Sequence, residues 1–197
     1  MIAGVVLAAG LSRRMGQAKL LLDWGGAPVL RHAVQRVLAA GLDEVVVVTG
    51  PDAAPLTPAL AGLAVRRAVN PDPAAGQAGS VVAGVAALGP AIEAAVLALG
   101  DQPTVSPDVI RALVAVWRAT GRPIAAPVYR DGRGNPVLFA RAVFPELLVL
   151  AGDAGARAVV AADPARVAVV TVDAAMPPDV DTPEDYARLR GLEPPPV

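Results

Sequence analysis

Ile2-Ala3-Gly4-Val5-Val6-Leu7-Ala8-Ala9-Gly10-Leu11-Ser12-Arg13-Arg14-Met15-Gly16-Gln17-Ala18-Lys19 opens the chain. The apolar run Ile2–Ala8 lacks polar alternation and reads as a strand buried on both faces, as parallel sheets require. It runs into a loop of small residues. Ala8, Ala9 and Gly10 leave backbone N–H groups unobstructed, and a run of such groups forms an anion nest. Two arginines and a lysine follow within a few residues. A small-residue loop beside a basic cluster, at the carboxyl end of a strand, is where open α/β sheets bind ligands. The functional reading is a polyphosphate cradle; the structural alternative is an ordinary strand-to-helix turn with solvated arginines.

Similar apolar runs, bounded by Gly, Pro or charge, predict strands at Glu44–Thr49, Ala64–Val69, Ala95–Leu99, Ile124–Val128, Pro136–Phe139 and Val167–Val172. Helical patterns lie between them at Pro28–Ala40, Ser80–Leu88, Ser106–Ala119, Ala154–Ala162 and Pro183–Arg190. Ser106 and Thr182 are natural N-caps, each followed by a proline suited to the first turn. Alternating strands and helices predict a three-layer α/β domain. The weaker Pro136–Phe139 run, after the turn Asp131-Gly132-Arg133-Gly134, predicts an antiparallel excursion. One domain over residues 1–192 is expected, with 193–197 as an unstructured Pro-rich tail.

Composition narrows the chemistry. The chain has 197 residues, 54% of them hydrophobic and 18% charged, so it can bury a full core. Its 17 Lys+Arg against 18 Asp+Glu argue against a nucleic-acid binder that works by bulk positive charge. With no cysteine, disulfides, thiol nucleophiles and thiolate metal sites are excluded. His32 is the only histidine, so any metal would be a hard ion on oxygen ligands, such as Mg²⁺. Mean hydropathy is +0.51, yet the longest uncharged stretch, Pro73–Ile92, is broken by Pro and Gly and does not read as a membrane span. No basic segment precedes the apolar N-terminus, which is the wrong order for a secretory signal. The expected setting is the cytoplasm, without membrane or nucleic-acid partners. Lys19 is the only lysine among many arginines, and so a candidate for a site that needs a compact ammonium.

Three further motifs carry chemistry. Leu99-Gly100-Asp101-Gln102-Pro103 ends a buried strand in a carboxylate that projects from the carboxyl edge of the sheet. In Asp179-Val180-Asp181-Thr182-Pro183-Glu184-Asp185 the i, i+2 spacing places Asp179 and Asp181 on one face of an extended segment. Asn70-Pro71-Asp72-Pro73-Ala74-Ala75-Gly76-Gln77-Ala78-Gly79-Ser80 is a long loop that could clasp a base or an anion at a helix start. Each has a plain structural explanation as a cap or loop. Together they supply a phosphate cradle, two separated carboxylates for one divalent ion, and a loop for a base, the set nucleotidyl transfer needs.

The pattern Leu7-Ala8-Ala9-Gly10-x-Ser12-x-Arg14-Met15-Gly16-x-x-Lys19 resembles the signature of the MobA-like nucleotidyltransferases, and among them most the molybdenum cofactor cytidylyltransferases. The likeness extends through Leu20-Leu21-Leu22, Gly76–Gly84, Gly100–Pro103, Gly134-Asn135-Pro136-Val137, Gly152-Asp153-x-Gly155-Ala156-Arg157 and Asp179–Asp185. The related guanylyltransferases open with Leu-Ala-Gly-Gly; Ala9 in that slot favours cytidine. Asn135 stands where many relatives carry His.

The resemblance implies a three-layer α/β/α, Rossmann-like nucleotidyltransferase fold with a mostly parallel central sheet. It implies transfer of CMP from CTP to the phosphate of a molybdopterin-type molybdenum cofactor, with release of pyrophosphate. Arg14 and Lys19 would bind the triphosphate, and Asp101 would be the main Mg²⁺ ligand, with Asp181 second and Asp179 its rival. Leu7, Ala8, Ala9, Gly10, Gly79 and Ser80 would line the nucleoside pocket. Gln102, Asn135, Asp153 and Arg157 would face the acceptor. A molybdenum hydroxylase or its maturation chaperone would be the downstream partner. The alternatives are another phosphorylated acceptor or another nucleoside triphosphate, a nicotinamide-dependent oxidoreductase on the same scaffold, and a non-catalytic module that delivers cofactor. The scaffold lacks a GxGxxG loop with a following ribose-binding acid, which disfavours the oxidoreductase.

Overall fold

The computed structural model describes residues 1–12, 14–153 and 155–194. In chain order its elements are β1 (Ile2–Leu7), β2 (Asp23–Trp24), β3 (Ala27–Pro28), α1 (Val29–Leu38), β4 (Glu44–Thr49), α2 (Thr57–Leu60), β5 (Arg66–Val69), α3 (Ala78–Ala86) and β6 (Ala94–Leu99). There follow α4 (Pro107–Thr120), β7 (Ile124–Tyr129), β8 (Gly132–Arg133), β9 (Val137–Ala140), α5 (Phe144–Leu148), α6 (Gly155–Ala162), β10 (Val167–Thr171) and α7 (Pro183–Arg190).

The main sheet has the order β10-β7-β9-β6-β1-β4-β5. β1 pairs in parallel with β4 and β6, β4 with β5, and β7 with β10. β9 is the antiparallel excursion, inserted between β6 and β7. This is a mostly parallel mixed sheet with helices on both faces, a Rossmann-like α/β fold. From β1 the chain winds outward to β4 and β5 on one side, and resumes on the other with β6. The crevice at a reversal of this kind lies beyond the carboxyl ends of the two strands, here beyond Leu7 and Leu99.

Alternate residues of β1 feed two cores. Ile2 and Val6 pack with Leu30, Val34 and Val37 of α1 and Ile110 and Leu113 of α4. Ala3 and Val5 pack with Val81 and Val85 of α3, Phe144 and Leu147 of α5, and Val159 and Val160 of α6. Close approach needs a missing side chain on each face. A Cβ on Gly4 would lie 2.5 Å from Val37 Cγ1, and one on Gly84 of α3 would lie 2.5 Å from Val5 Cγ1. A third, smaller cluster sits off the sheet, where Met15, Trp24, Val29, Val180 and Leu189 join the first loop, β2–β3, α1 and α7.

Some elements differ from the expected ones. Helix α3 begins at Ala78, before the expected Ser80, because the Ser80 hydroxyl does not cap the backbone; it accepts a bond from Asn70 Nδ2 at 3.1 Å. The β2–β3 hairpin turns at Gly25-Gly26, a two-residue signal inside a stretch too short to show periodicity. The expected start of α6 at Ala154 lies outside the described residues, as do 195–197. Pro194 packs against Gly25, where an added Cβ would meet its ring at 2.2 Å. Among the described residues, no helix is long and apolar enough to cross a membrane.

Gly84→Ala tests the close approach at β1. The methyl gains about 1 kcal/mol of helix propensity, but overpacking costs about 1–3 kcal/mol. A net fall of a few degrees in Tm is expected, whereas Gly89→Ala, which meets nothing within 4 Å, should melt close to wild type. An unchanged Tm for Gly84→Ala would contradict the packing described.

Candidate active site

The loop after β1 is tied down before it displays its charges. Ala8 N–H donates to Val48 O at 2.8 Å, which carries the loop out over β4. Ala8 and Ala9 are buried, and Gly10 is exposed. Ser12 has a left-handed backbone, φ 52°. Its carbonyl accepts from Met15 N–H at 3.1 Å and Gly16 N–H at 3.2 Å, and its hydroxyl accepts from Lys19 N–H at 3.2 Å. Met15 inserts into the small third core. The two basic residues on either side of this anchor, Arg14 and Lys19, therefore leave the loop toward one place.

That place is the tip of β6. Lys19 Nζ donates to Asp101 and, at 2.6 Å, to Asp181 Oδ1. Arg14 donates to the other oxygen, Asp181 Oδ2, at 2.6 Å. The Lys19 side chain is 10% exposed, against 18% for Asp101 and 24% for Asp181. Burial works against the Lys19 ammonium, but Asp101 and Asp181 outweigh it and hold its pKa above the ordinary lysine value.

The segment that carries Asp181 is bonded to the strand tip: Val180 N–H donates to Asp101 O at 3.0 Å. Val180 is buried in the third core, so its neighbours Asp179 and Asp181 turn the other way, as alternation in an extended segment dictates. Asp179 pairs with neither cation directly. Loss of hydration, followed by the charges of Asp101 and Asp181, pushes its carboxyl above the usual range, against a hydrogen bond from Gln102.

The residues expected to meet the acceptor are distributed differently. Gln102 is only 2% exposed and donates to Pro177 O at 3.2 Å, which ties it to the loop before Asp179. Asn135 lies between β8 and β9, and its carbonyl accepts from Tyr129 Oη at 2.8 Å. Gly134 packs against Met176 of the same long loop. Asp153 is exposed, and Arg157 is exposed on α6.

Sequence reading missed Asn70 as an organiser. Asn70 is buried; its N–H donates to Thr49 O at 2.9 Å, its Oδ1 accepts from Asp72 N–H at 3.1 Å, and its amide touches Gly79. It thereby joins β4 to the start of α3. A polar residue ahead of Pro71-Asp72-Pro73 at a strand end was the available signal. Gly76, with φ 113°, lies so close to Gly152 that a Cβ would fall 2.4 Å from its carbonyl and 2.7 Å from Asp153 Oδ1. The loop before α3 and the loop before α6 thus form one wall, which brings Asp153 beside the Gly76–Ser80 segment.

A family model for the MobA-like NTP transferase domain matches residues 4–169. The chain belongs to the MobA-like NTP transferase family. The purine catabolism protein PucB of Bacillus subtilis (strain 168) is 34% identical over 96% of both chains. The nicotine blue oxidoreductase of Paenarthrobacter nicotinovorans is 32% identical over 95% of this chain and 96% of its own. The molybdenum cofactor cytidylyltransferase of Escherichia coli (strain K12) is 28% identical over 92% of each. Among solved structures, Rv0371c of Mycobacterium tuberculosis H37Rv in complex with manganese superposes with a TM-score of 0.84 at 36% identity, over 96% of this chain and 98% of that one. Asp179 and Asp181 lie beyond the residues that the MobA-like model matches.

Among the described residues, no group of three His, Cys, Asp or Glu side chains is arranged to hold a metal by itself. Mg²⁺ is commonly held by one or two carboxylates together with substrate phosphates. Asp101 and Asp181 already share one cation, the Lys19 ammonium, so their oxygens face a single cation-sized position. The donor set of this MobA-like chain therefore suits a hard divalent ion completed by phosphate oxygens.

The backbone of Asp181 is fixed from behind by Asp185, whose Oδ2 accepts from Asp181 N–H at 3.2 Å and from Thr182 N–H and Oγ1, both at 2.8 Å. Thr182 Oγ1 in turn accepts from Asp185 N–H at 3.2 Å, completing a capping box for α7. Lost hydration opposes ionisation of Asp185, but the Thr182 and Arg188 donors and the two backbone N–H groups prevail and lower its pKa from 3.8 to about 2. A depressed carboxyl pKa stabilises the fold above 3.8 and loses that contribution as pH falls toward about 2. Asp185→Asn should lower Tm at neutral pH, with a deficit that shrinks across this window. Paired thermal melts in a pH series measure it, and a deficit that persists undiminished at the acid end would contradict the account.

Proposed function

We propose that the protein transfers CMP from CTP to the terminal phosphate of a molybdopterin-type molybdenum cofactor and releases pyrophosphate. The observation that supports this best is the convergence of Lys19, Arg14, Asp101 and Asp181 at the crevice between β1 and β6. The 28% identity to a molybdenum cofactor cytidylyltransferase supports the choice of donor and acceptor.

In the proposed step an oxygen of the acceptor phosphate attacks the α-phosphorus of CTP. A new P–O bond forms, the bond from the α-phosphorus to the bridging oxygen breaks, and pyrophosphate leaves with the electron pair. The acceptor is already an anion at neutral pH, so it has no proton to lose. This fits a site with no cysteine, in which the sole imidazole is spent elsewhere: His32 is fully buried in α1 and bonded to Trp24 O at 2.7 Å. The obstacle is repulsion between anions. Lys19 and Arg14 reduce it by binding triphosphate oxygens, and Lys19 stabilises the charge that builds on the α-phosphate. Asp101 and Asp181 would hold a divalent ion, Mg²⁺ in this reading, which when bound supplies further charge neutralisation on the phosphates. Ala8, Ala9 and Gly10 offer backbone to the nucleoside, with Gly79 and Ser80 at the opposite wall. Asn135, Asp153 and Arg157 are the acceptor-side candidates. The product would pass to a molybdenum hydroxylase or its maturation chaperone in the cytoplasm.

The relative named as an oxidoreductase, at 32% identity, supports a second reading, nicotinamide-dependent reduction. It is disfavoured because β4 ends at Thr49, without the carboxylate there that holds a dinucleotide ribose.

Lys19→Ala and Asp101→Ala should each lower CTP-dependent pyrophosphate release by about 10²–10³-fold or more, the usual cost of one aligned electrostatic group, with circular dichroism unchanged. Lys19→Arg should recover only part of the activity, because a planar fork replaces a point charge. Assays with CTP, GTP, ATP and UTP, each with molybdopterin and with other phosphorylated acceptors, identify the substrates. NADH oxidation without pyrophosphate release would instead establish the second reading.

A further inference from the structure

The ion pairs at the β6 tip do more than mark a site. Lys19 Nζ spends one donor on Asp101 and one on Asp181, and Arg14 takes the remaining oxygen of Asp181. Both oxygens of Asp181 are therefore committed to cations, and Asp101 is committed through Oδ2. The two cations differ in access: the Arg14 side chain is 73% exposed, whereas that of Lys19 is 10% exposed. Partial burial strengthens the Lys19 pairs relative to their strength in water. Asp179, the third acid of the group, pairs with neither Lys19 nor Arg14, so among the described residues the cluster sets three carboxylates beside these two cations.

We propose that Lys19 is a counterion lock: in the nucleotide-free protein it occupies the position between Asp101 and Asp181 that a divalent ion would take, and metal uptake follows only when a triphosphate draws Lys19 and Arg14 away. The proposal rests on the reading of Asp101 and Asp181 as metal-holding residues. An incoming triphosphate meets the exposed Arg14 first and then Lys19, and its charge-dense oxygens compete with the carboxylates for both cations. As each cation moves to phosphate, Asp181 and then Asp101 lose their neutralising partners, and the uncompensated pair attracts a divalent ion. Nucleotide and metal then favour each other through the protein, in addition to any direct contact between them. By linkage the effect is reciprocal. Without nucleotide, the carboxylates are shielded from adventitious metal, and the free enzyme does not hold an ion in the geometry of an empty site.

The test uses Mn²⁺ as probe and the full chain, with free Mn²⁺ followed by electron paramagnetic resonance. Without nucleotide, Lys19→Met should bind Mn²⁺ at least about five-fold more tightly than wild type, the lower end of ordinary site-to-site coupling, and Mn²⁺ should raise its Tm more than that of wild type. Arg111→Gln, an equal loss of charge on α4, where the guanidinium bonds Asp108 and Ala39 O away from the site, should bind Mn²⁺ within about two-fold of wild type. The reciprocal arm is CTP binding in EDTA, where Asp101→Asn, having released Lys19, should bind CTP several-fold more tightly than wild type; this arm decides if Lys19→Met does not fold. Mn²⁺ binding by folded Lys19→Met no tighter than by wild type, or an equal gain in Arg111→Gln, would overturn the lock. If Asp101→Asn leaves Mn²⁺ uptake in the presence of CTP unchanged, the metal-holding reading falls and the proposal falls with it. If Asp101→Asn abolishes that uptake while Lys19→Met shows no gain, the site reading stands and only the lock is lost.

Discussion

Everything at the carboxyl edge of this sheet depends on one ammonium group set between two carboxylates. Lys19 reaches Asp101 at the end of β6 and Asp181 before α7, and no other described interaction joins those two acids directly. Half-buried charges are costly to withdraw from water, and they persist only when paired with good geometry. Such a cluster is a weak source of stability and a strong constraint on arrangement. It requires the first loop, the β6 tip and the segment before α7 to be placed within hydrogen-bond reach of one another. The rest of the fold can be understood as the scaffold that meets this requirement.

The scaffold works in two tiers. The sheet sets the coarse position: β1 and β6 are hydrogen-bonded neighbours, and Gly100 N–H donates to Leu7 O at 2.9 Å just below the site. The small third core sets the fine position. Met15, Trp24, Val29, Val180 and Leu189 pack together away from the main cores, and two of them, Met15 and Val180, are direct chain neighbours of Arg14, Asp179 and Asp181. Polar contacts tie the same unit together: Trp24 Nε1–H donates to Leu192 O at 3.3 Å, Tyr186 Oη to Asp23 O, and the His32 ring bonds Trp24 O. The only histidine is thus part of the structural support for the site.

The second wall of the crevice is built from backbone more than from charge. Asn70 bonds Asp72 N–H and Ser80 Oγ through its side chain, and the contact with Gly152 leaves no room for a side chain at Gly76. Surfaces of this kind recognise ligands through main-chain groups and shape. Relatives with the same fold carry names as different as a purine catabolism protein, a nicotine blue oxidoreductase and a cytidylyltransferase. One fold can carry different activities, since function resides in the site grafted on it.

What the sequence by itself determined is whatever is encoded locally. Continuous β-branched runs marked the parallel strands, because a strand buried on both faces cannot alternate. Ser106 and Thr182 marked the starts of α4 and α7, because their hydroxyls bond the free N–H groups of the first turn, as Ser106 does to Asp108 N–H at 3.2 Å. The i, i+2 spacing placed Asp179 and Asp181 on one face, and the lone lysine stood out by composition. The tertiary structure alone decided which partners these groups meet. Gln102 sits beside Asp101 in sequence, yet its amide is buried under Pro177; Ser80 bonds Asn70 in place of a helix end; and Lys19 is shared between two acids far apart in the chain. Such choices depend on distances between segments remote in sequence, and a hydrogen-bonding side chain carries no local pattern that says which distant partner it will satisfy.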